Sequence, residues 1–402
     1  MRLAVLIGTR YRIGGVETYV ERVIPALVAR GHDVAFLYES DGGAGHQTLQ
    51  IGSDVPQWHA GQRERATALE SLCNWKPDFI FLHTSIHDEL RAGLLNIAPV
   101  IFFAHDFYSM CISGQKRHAF PQMRPCQKVF SPACFAHYFP RRCGGLSPVT
   151  MFQNYQSVSK WLRVLRDFAG IVVASNYMAA EYRRHGFEVH LVGLPAAPVR
   201  KGADTPKRNL PPDGSGPIRL LFMGRMYDYK GGLTLLDALP FLRARLQRTI
   251  HLAFAGDGPE RGRWEAHGKS IVRGDTGIEL KFAGWLSGAD LTKVMEASDL
   301  LVLPSLYPEP FGLVGLEAGA CGLPTVAFNV GGISDWLVEG VNGHLAPGSP
   351  PTAQGLAEAI SRCVVDQAHF ANLRDRAYKS LERFTMARHL EKLETCFRLL
   401  LR

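Results

Sequence analysis

The sequence predicts an α/β protein of two Rossmann-like, doubly wound parallel-sheet domains facing each other across a cleft. Three observations predict it. The 402 residues exceed what one typical domain holds. Apolar strand-like runs alternate with amphipathic stretches at helical spacing, the pattern of parallel strands covered on both faces. That pattern stops at a proline-rich stretch near residue 200 and then starts again.

The elements follow in order. LAVLIG, residues 3–8, is the first strand. VETYVERVIPALVARG, after Gly14 and Gly15, has apolar residues at helical spacing and closes on Gly31, a C-terminal capping signal. DVAFLYES, DFIFLHTS (78–85), VIFFAHDF (100–107) and GIVVASNYM (170–178) read as further strands, the last followed by a helix ending at Gly186. Residues 196–216 carry prolines and no extended apolar run, the composition of a linker. The second half repeats the plan with the strands IRLLFMG, IHLAFAG, IELKFAGWL, LLVLPS and LPTVAF. LTLLDALPFLRARL is a helix, another lies between the last two strands, and a charged amphipathic helix closes the chain. The expected boundaries are an N-terminal domain at 1–195, the linker, a C-terminal domain at 217–385, and a last helix, 386–402, packing back on the N-terminal domain.

Composition narrows the class. Hydrophobic residues make up 46% and charged residues 20%, as in soluble globular proteins. No run reaches the ~20 apolar residues of a membrane span, and the N-terminus lacks a signal-peptide h-region. A cytoplasmic location is expected. The net charge of +8 is uneven: residues 107–166 hold nine Lys or Arg and no Asp or Glu. That stretch suits an anionic membrane surface or a phosphorylated substrate, and equally a solvated basic loop. No nucleic-acid-binding motif accompanies it.

Four of the eight cysteines, Cys111, Cys126, Cys134 and Cys143, fall within a basic insert at about 107–148. Their spacing lacks the paired C-x-x-C of common zinc sites, and a cytoplasmic chain disfavours disulfides. A metal site including His118 or His137 stays open, as do disulfides. Reduced, unliganded thiols are the expectation.

The candidate chemistry lies at strand ends. Arg225 and Lys230 leave the strand IRLLFMG within one loop, between Gly224 and Gly231. Arg offers a bidentate fork and Lys a point charge, which together suit a diphosphate. Gly256-Asp257-Gly258-Pro259 reads as a strand-to-helix turn. In EPFGLVGLE, Glu309 and Glu317 lie eight positions apart in an apolar, glycine-containing stretch. A helix beginning at Gly312 would leave the amides of Gly312, Leu313 and Val314 free for an anion. Glu309, outside that helix, and Glu317, in its second turn, would accept from sugar and ribose hydroxyls.

In these motifs the chain resembles the family 4 glycosyltransferases of GT-B fold. The motifs are Gly14-Gly15-x-Glu17, G-R-x(4)-K-G at 224–231, AGDGP at 255–259, FAGWL at 282–286, the Glu309/Glu317 pair and GLPTVAFNVGG. The resemblance covers nearly the whole chain and is strongest at 217–345. It implies that Arg225 and Lys230 bind and stabilise the leaving diphosphate, that Glu309 holds the transferred sugar and that Glu317 holds the donor ribose. Phe311, Gly312, Leu313 and Val314 would present amides. Gly284 and Trp285 would frame the nucleobase, and Gly14 and Gly15 would close on the donor phosphate or the acceptor. His105, ending FFAHD, would approach the transferred sugar. Asp335 stands where the family often has Glu, and the cysteine-rich insert is an elaboration of the acceptor half.

The implied activity is retaining transfer of a sugar from a nucleotide-diphosphate sugar, UDP- or GDP-linked. The acceptor would be a hydroxyl of a glycan, a lipid-linked glycan or a small molecule, in surface polysaccharide synthesis. The sequence has no D-x-D triplet, so no divalent metal or cofactor is expected. Peripheral contact with the inner face of the plasma membrane through the basic half is a further expectation. A sugar-nucleotide epimerase and a non-catalytic subunit of the same fold are the alternatives. A nicotinamide-dependent dehydrogenase fits poorly, because no G-x-G-x-x-G follows the first strand.

Overall fold

A computed structural model of the protein describes residues 1–41, 47–197 and 216–401. Of the expected linker, residues 198–215 lie outside the described residues.

The first sheet contains β1 (Arg2–Thr9), β2 (Asp33–Ser40), β3 (Gln57–His59), β4 (Phe79–Leu82) and β5 (Val100–Ala104). Two short strands, β6 (Arg117–His118) and β7 (Arg124–Pro125), pair antiparallel on their own. The first sheet resumes with β8 (Gly170–Val173) and β9 (His190–Leu191). Its strands are parallel, in the order β3-β2-β1-β4-β5-β8-β9. The central strands are buried along their whole length, Val100–Ala104 and Phe79–Leu82 without exception. This is why they read as unbroken apolar runs instead of alternating ones.

The second sheet comprises β10 (Ile218–Met223), β11 (Ile250–Ala255), β12 (Ile278–Gly284), β13 (Leu300–Leu303), β14 (Thr325–Phe328) and β15 (Gly343–Ala346). Its strands are also parallel, in the order β12-β11-β10-β13-β14-β15. Both sheets are doubly wound: the order reverses at β1 and β4 in the first, and at β10 and β13 in the second. Such reversals open a crevice outside the carboxyl ends of the strands, where ligands of open α/β sheets bind.

The sequence reading of 170–178 as one strand is corrected. The strand stops at Val173, and a helix, Asn176–Arg184, begins after Ser175, whose hydroxyl accepts from the Met178 amide at 3.2 Å. The capping hydroxyl ends the strand earlier than the apolar run suggests.

The last helix, Met386–Leu400, leaves the second domain and packs on the first. Phe397 lies 4.6 Å from the Phe79 ring and 5.1 Å from that of Phe81, and Arg30 pairs with Glu394 at 3.0 Å. Burying a phenylalanine of this kind contributes about 2 kcal/mol. The domains also touch directly. The Ser175 hydroxyl donates to the Pro310 carbonyl, and Asp335 accepts from the Asn176 amide at 2.6 Å. Asp335 thus places its carboxylate at the N-terminus of a helix in the other domain, where negative charge is favourable.

Candidate active site

The site is assembled from the carboxyl ends of β1, β4, β5, β10 and β13. The loop after β10 carries Arg225 and Lys230. It is held down by Gly231, which has a left-handed φ of 74° and whose Cβ, if present, would lie 1.8 Å from the Pro304 carbonyl oxygen. Gly256 and Gly258 press the AGDGP turn against the backbone of Gly224 and Met226, so that turn supports the cation loop. Gly256 donates its amide to the Gly284 carbonyl at 2.8 Å, which ties in the end of β12. Trp285, next along, is exposed.

Glu309 is buried and surrounded by donors. Lys230 Nζ donates to its Oε1 at 2.7 Å, Tyr307 Oη donates to its Oε2 at 2.9 Å, and the Ser305 hydroxyl also reaches Oε1. Lys230 further donates to Tyr307 Oη at 3.2 Å. A carboxylate held by three donors is fixed in orientation. Beside it, Arg225 lies over the Tyr227 ring at 5.5 Å. Its positive charge reaches Glu17, Tyr108, Tyr229 and Tyr307, drawing their pKa values down against the upward push of burial.

The helix Leu313–Ala320 begins after Gly312, whose φ is 92°. The first amides of a helix have no acceptor within it, which leaves those of Leu313 and Val314 without an intrahelical partner. Glu317 lies in its second turn and is mostly buried. Burial raises its pKa, and Arg22 of the first domain, 3.5 Å away, opposes that rise. The N-terminal glycine loop meets the same helix: a Cβ on Gly15 would touch Leu313 Cδ1 at 3.7 Å. Gly14, Gly15, Leu313 and Glu317 therefore lie on the two faces of one cleft.

His105 sits elsewhere in the network. Its Nε2 lies 3.0 Å from His83 Nδ1, and its ring packs on Phe103 and Tyr19. Its hydrogen bond and ring contacts are all with N-terminal residues. Burial pushes its pKa down to about 3, so the imidazole is neutral. Tyr19 in turn hydrogen-bonds His389 of the last helix at 2.9 Å.

Sequence reasoning missed Ser305, Tyr307, Arg22, His83 and His389. Ser305 and Tyr307 precede Glu309 by four and two positions at the end of β13, so their placement could have drawn notice. Arg22 and His389 carry no local signal, because each acts through a partner distant in sequence.

The cysteine-rich insert forms a small unit. Cys111, Cys126, Cys134 and Cys143 are free and line one cavity of about 30 Å³ with His118 and His137. Burial raises the thiols of Cys126, Cys134 and Cys143. Among the described residues no group of three or more His, Cys, Asp or Glu is placed to hold a metal ion. Lys116 is fully buried there and pairs with Glu181 at 2.9 Å. Arg117 leaves the insert, donates to both carboxylate oxygens of Asp228 at 3.1 Å and lies over Tyr229 at 5.2 Å. The insert is thereby braced against the cation loop.

Two family models match this chain. "Glycosyltransferase Family 4" matches residues 13–192, and "Glycosyl transferases group 1" matches residues 217–366. The chain belongs to the family 4 glycosyltransferases. It is 29% identical over 386 residues to a glycogen synthase of Mycobacterium tuberculosis, covering 91% of this chain and 86% of that one. It is 31% identical over 217 residues to the lipopolysaccharide 1,2-N-acetylglucosaminetransferase of Salmonella typhimurium, covering 50% and 54%. The Anabaena protein HepE, solved in complex with UDP-glucose, superposes with a TM-score of 0.68 at 18% identity, covering 99% of this chain and 100% of that one. The glycosyltransferase shares its GT-B fold with these neighbours. No helix among its described residues is long and apolar enough to cross a membrane.

Proposed function

We propose that this glycosyltransferase uses a nucleoside-diphosphate sugar, UDP- or GDP-linked, and transfers the sugar with retention. The acceptor is a hydroxyl of a glycan, a lipid-linked glycan or a small molecule, in the synthesis of a surface polysaccharide. The carrying observation is the group formed by Lys230, Glu309 and Arg225 beside the start of the helix Leu313–Ala320. It joins two cations, a fixed carboxylate and helix amides where the strand order reverses. The solved HepE complex with UDP-glucose supports a donor of this class.

The residues divide the work. Arg225 and Lys230 take the charge that develops on the departing diphosphate, and the Leu313 and Val314 amides add to it. Glu309 accepts from sugar hydroxyls and Glu317 from the ribose diol. Phe311 and Gly312 let the backbone approach, while Gly284 and Trp285 border the base. His105, neutral, orients the sugar from the facing domain. The acceptor hydroxyl attacks from the side the diphosphate leaves. The glycosidic carbon–oxygen bond to phosphate breaks, the new one forms, and the acceptor proton passes to the departing phosphate oxygen. The reaction uses no divalent metal. The protein works on the cytoplasmic side, in peripheral contact with the plasma membrane.

The test is thermal stabilisation by UDP, GDP, ADP, dTDP and their sugars, with and without EDTA. A ligand at ~100 times its dissociation constant adds about 2.7 kcal/mol of stability. Selective stabilisation by one nucleotide, retained in EDTA and lost in Glu317→Ala, is the expected result. Equal stabilisation of the variant would remove Glu317 from the site, and stabilisation abolished by EDTA would overturn the metal-free mechanism.

A further inference from the structure

Outside its own small core of Ile112, Tyr138 and Cys143, the insert and the helix that follows it expose large apolar side chains. Leu146 is 81% exposed, Val149 66% and Phe152 52%, and Phe120 and Phe139 are exposed as well. Val149 and Phe152 are three positions apart in the helix Pro148–Val164 and share a face. Arginines stand among these groups. The Arg142 guanidinium lies 5.1 Å over the Phe120 ring, and the Ala119 and Phe120 amides both donate to the Arg141 carbonyl. No acid occurs anywhere from 107 to 166.

This composition selects its partner. Apolar side chains exposed to this degree favour leaving water, while the surrounding cations require an anionic surface. A second copy of the same face would bring like charges together. An anionic bilayer satisfies both demands, with apolar groups passing the headgroups and arginines meeting the phosphates. We propose that the face formed by Phe120, Phe139, Arg141, Arg142, Leu146, Val149 and Phe152 docks the protein on an anionic lipid surface. Arg142 and Thr150 also line a cleft of about 680 Å³ together with Asp228, two residues before Lys230.

The experiment is co-sedimentation of the full chain with phosphatidylcholine vesicles, with and without about one-third phosphatidylglycerol, at low and high salt. Binding is expected only to the anionic vesicles, and it weakens as salt rises. The L146Q/V149Q/F152Q variant should lose about tenfold or more in partitioning, because lipid affinity follows buried apolar area. R141S/R142S should lose about as much, because each cation near such a surface is worth roughly fivefold. V365Q, on an exposed valine elsewhere, should bind like the parent. Wild-type thermal melts in the variants establish that they fold. Wild-type partitioning of both surface variants would overturn the proposal. So would a lipid-free dimer abolished by the same substitutions, which would make the face a self-association surface. Neither readout depends on sugar transfer, so docking and the transferase reading stand or fall separately.

Discussion

Arg22, on the first helix of one domain, stands 3.5 Å from Glu317 on the donor-side helix of the other. The pair crosses the cleft and occupies the carboxylate expected to hold a ribose. Burial raises the Glu317 pKa and Arg22 counteracts it. The ionised carboxylate can accept from both hydroxyls of a diol, and protonation turns one oxygen into a donor and removes the charge, so nucleotide affinity should fall as pH drops through this raised value. Removing Arg22 removes the opposing influence. In Arg22→Ala the midpoint of that loss should move to higher pH, read by calorimetric titration of nucleotide across pH. An unmoved midpoint would uncouple Arg22 from the site.

Lys230 carries a second prediction, because it holds Glu309 as well as facing the expected diphosphate. Lys230→Ala should lower turnover on the order of 10²-fold or more if the ammonium stabilises leaving-group charge. It also leaves a buried carboxylate with two neutral donors. Breaking one side of a buried pair costs on the order of 3 kcal/mol. Lys230→Ala/Glu309→Gln should recover most of that stability and none of the turnover, as read by denaturant melts and initial rates. Restored turnover would show that Lys230 serves the fold alone.

The histidine cluster gives a pH prediction. His105 is lowered to about 3 and His389 to about 4, in both cases by burial, against 6.5 for the free side chain. A group with a depressed folded pKa binds protons better when unfolded. Its stabilisation is complete above pH 6.5 and is lost as pH falls toward the folded value, at about 1.4 kcal/mol per pH unit for each proton. Asp106, raised by burial to about 6, acts in the opposite direction between pH 6 and its ordinary value of 3.8. The comparison should therefore be made between the parent and His389→Gln. The variant should lose less stability between pH 6.5 and 4 in thermal melts, because it carries one such group fewer. Parallel curves would rule out this origin.

Two glycines separate backbone necessity from mere presence. Gly231→Ala should destabilise by about 2 kcal/mol or more and blunt nucleotide stabilisation, since it adds both φ strain and a clash with Pro304. Gly262, in the helix Arg261–Gly274, has no atom within 4 Å of a would-be Cβ. Gly262→Ala should be neutral or stabilise by up to about 1 kcal/mol. Equal melting temperatures for the two variants would contradict this reading of the loop.

The two-sheet plan was legible because strands buried on both faces leave unbroken apolar runs. Val100–Ala104 and Leu300–Leu303 show this plainly, each buried throughout. The placement of Arg225 and Glu309 was legible because motif and strand end coincide there. Short edge strands such as Gln57–His59 and His190–Leu191 were not, since half-exposed runs of two or three residues carry no periodicity. Nor were the pairs that cross between domains. Arg22 with Glu317, Arg117 with Asp228 and Tyr19 with His389 each join residues at least 111 positions apart. Only the packed fold brings them together.

The closing helix, anchored by Phe397 between Phe79 and Phe81, makes the chain cross from one domain to the other and back again. Severing the segment 198–215 would therefore not release the donor half. The downstream fragment keeps its own clasp on the upstream one. The enzyme can in principle be made as two polypeptides divided there, and the clasp would guide their reassembly. It also means that the two halves are joined by two covalent crossings of the chain, not by a single tether.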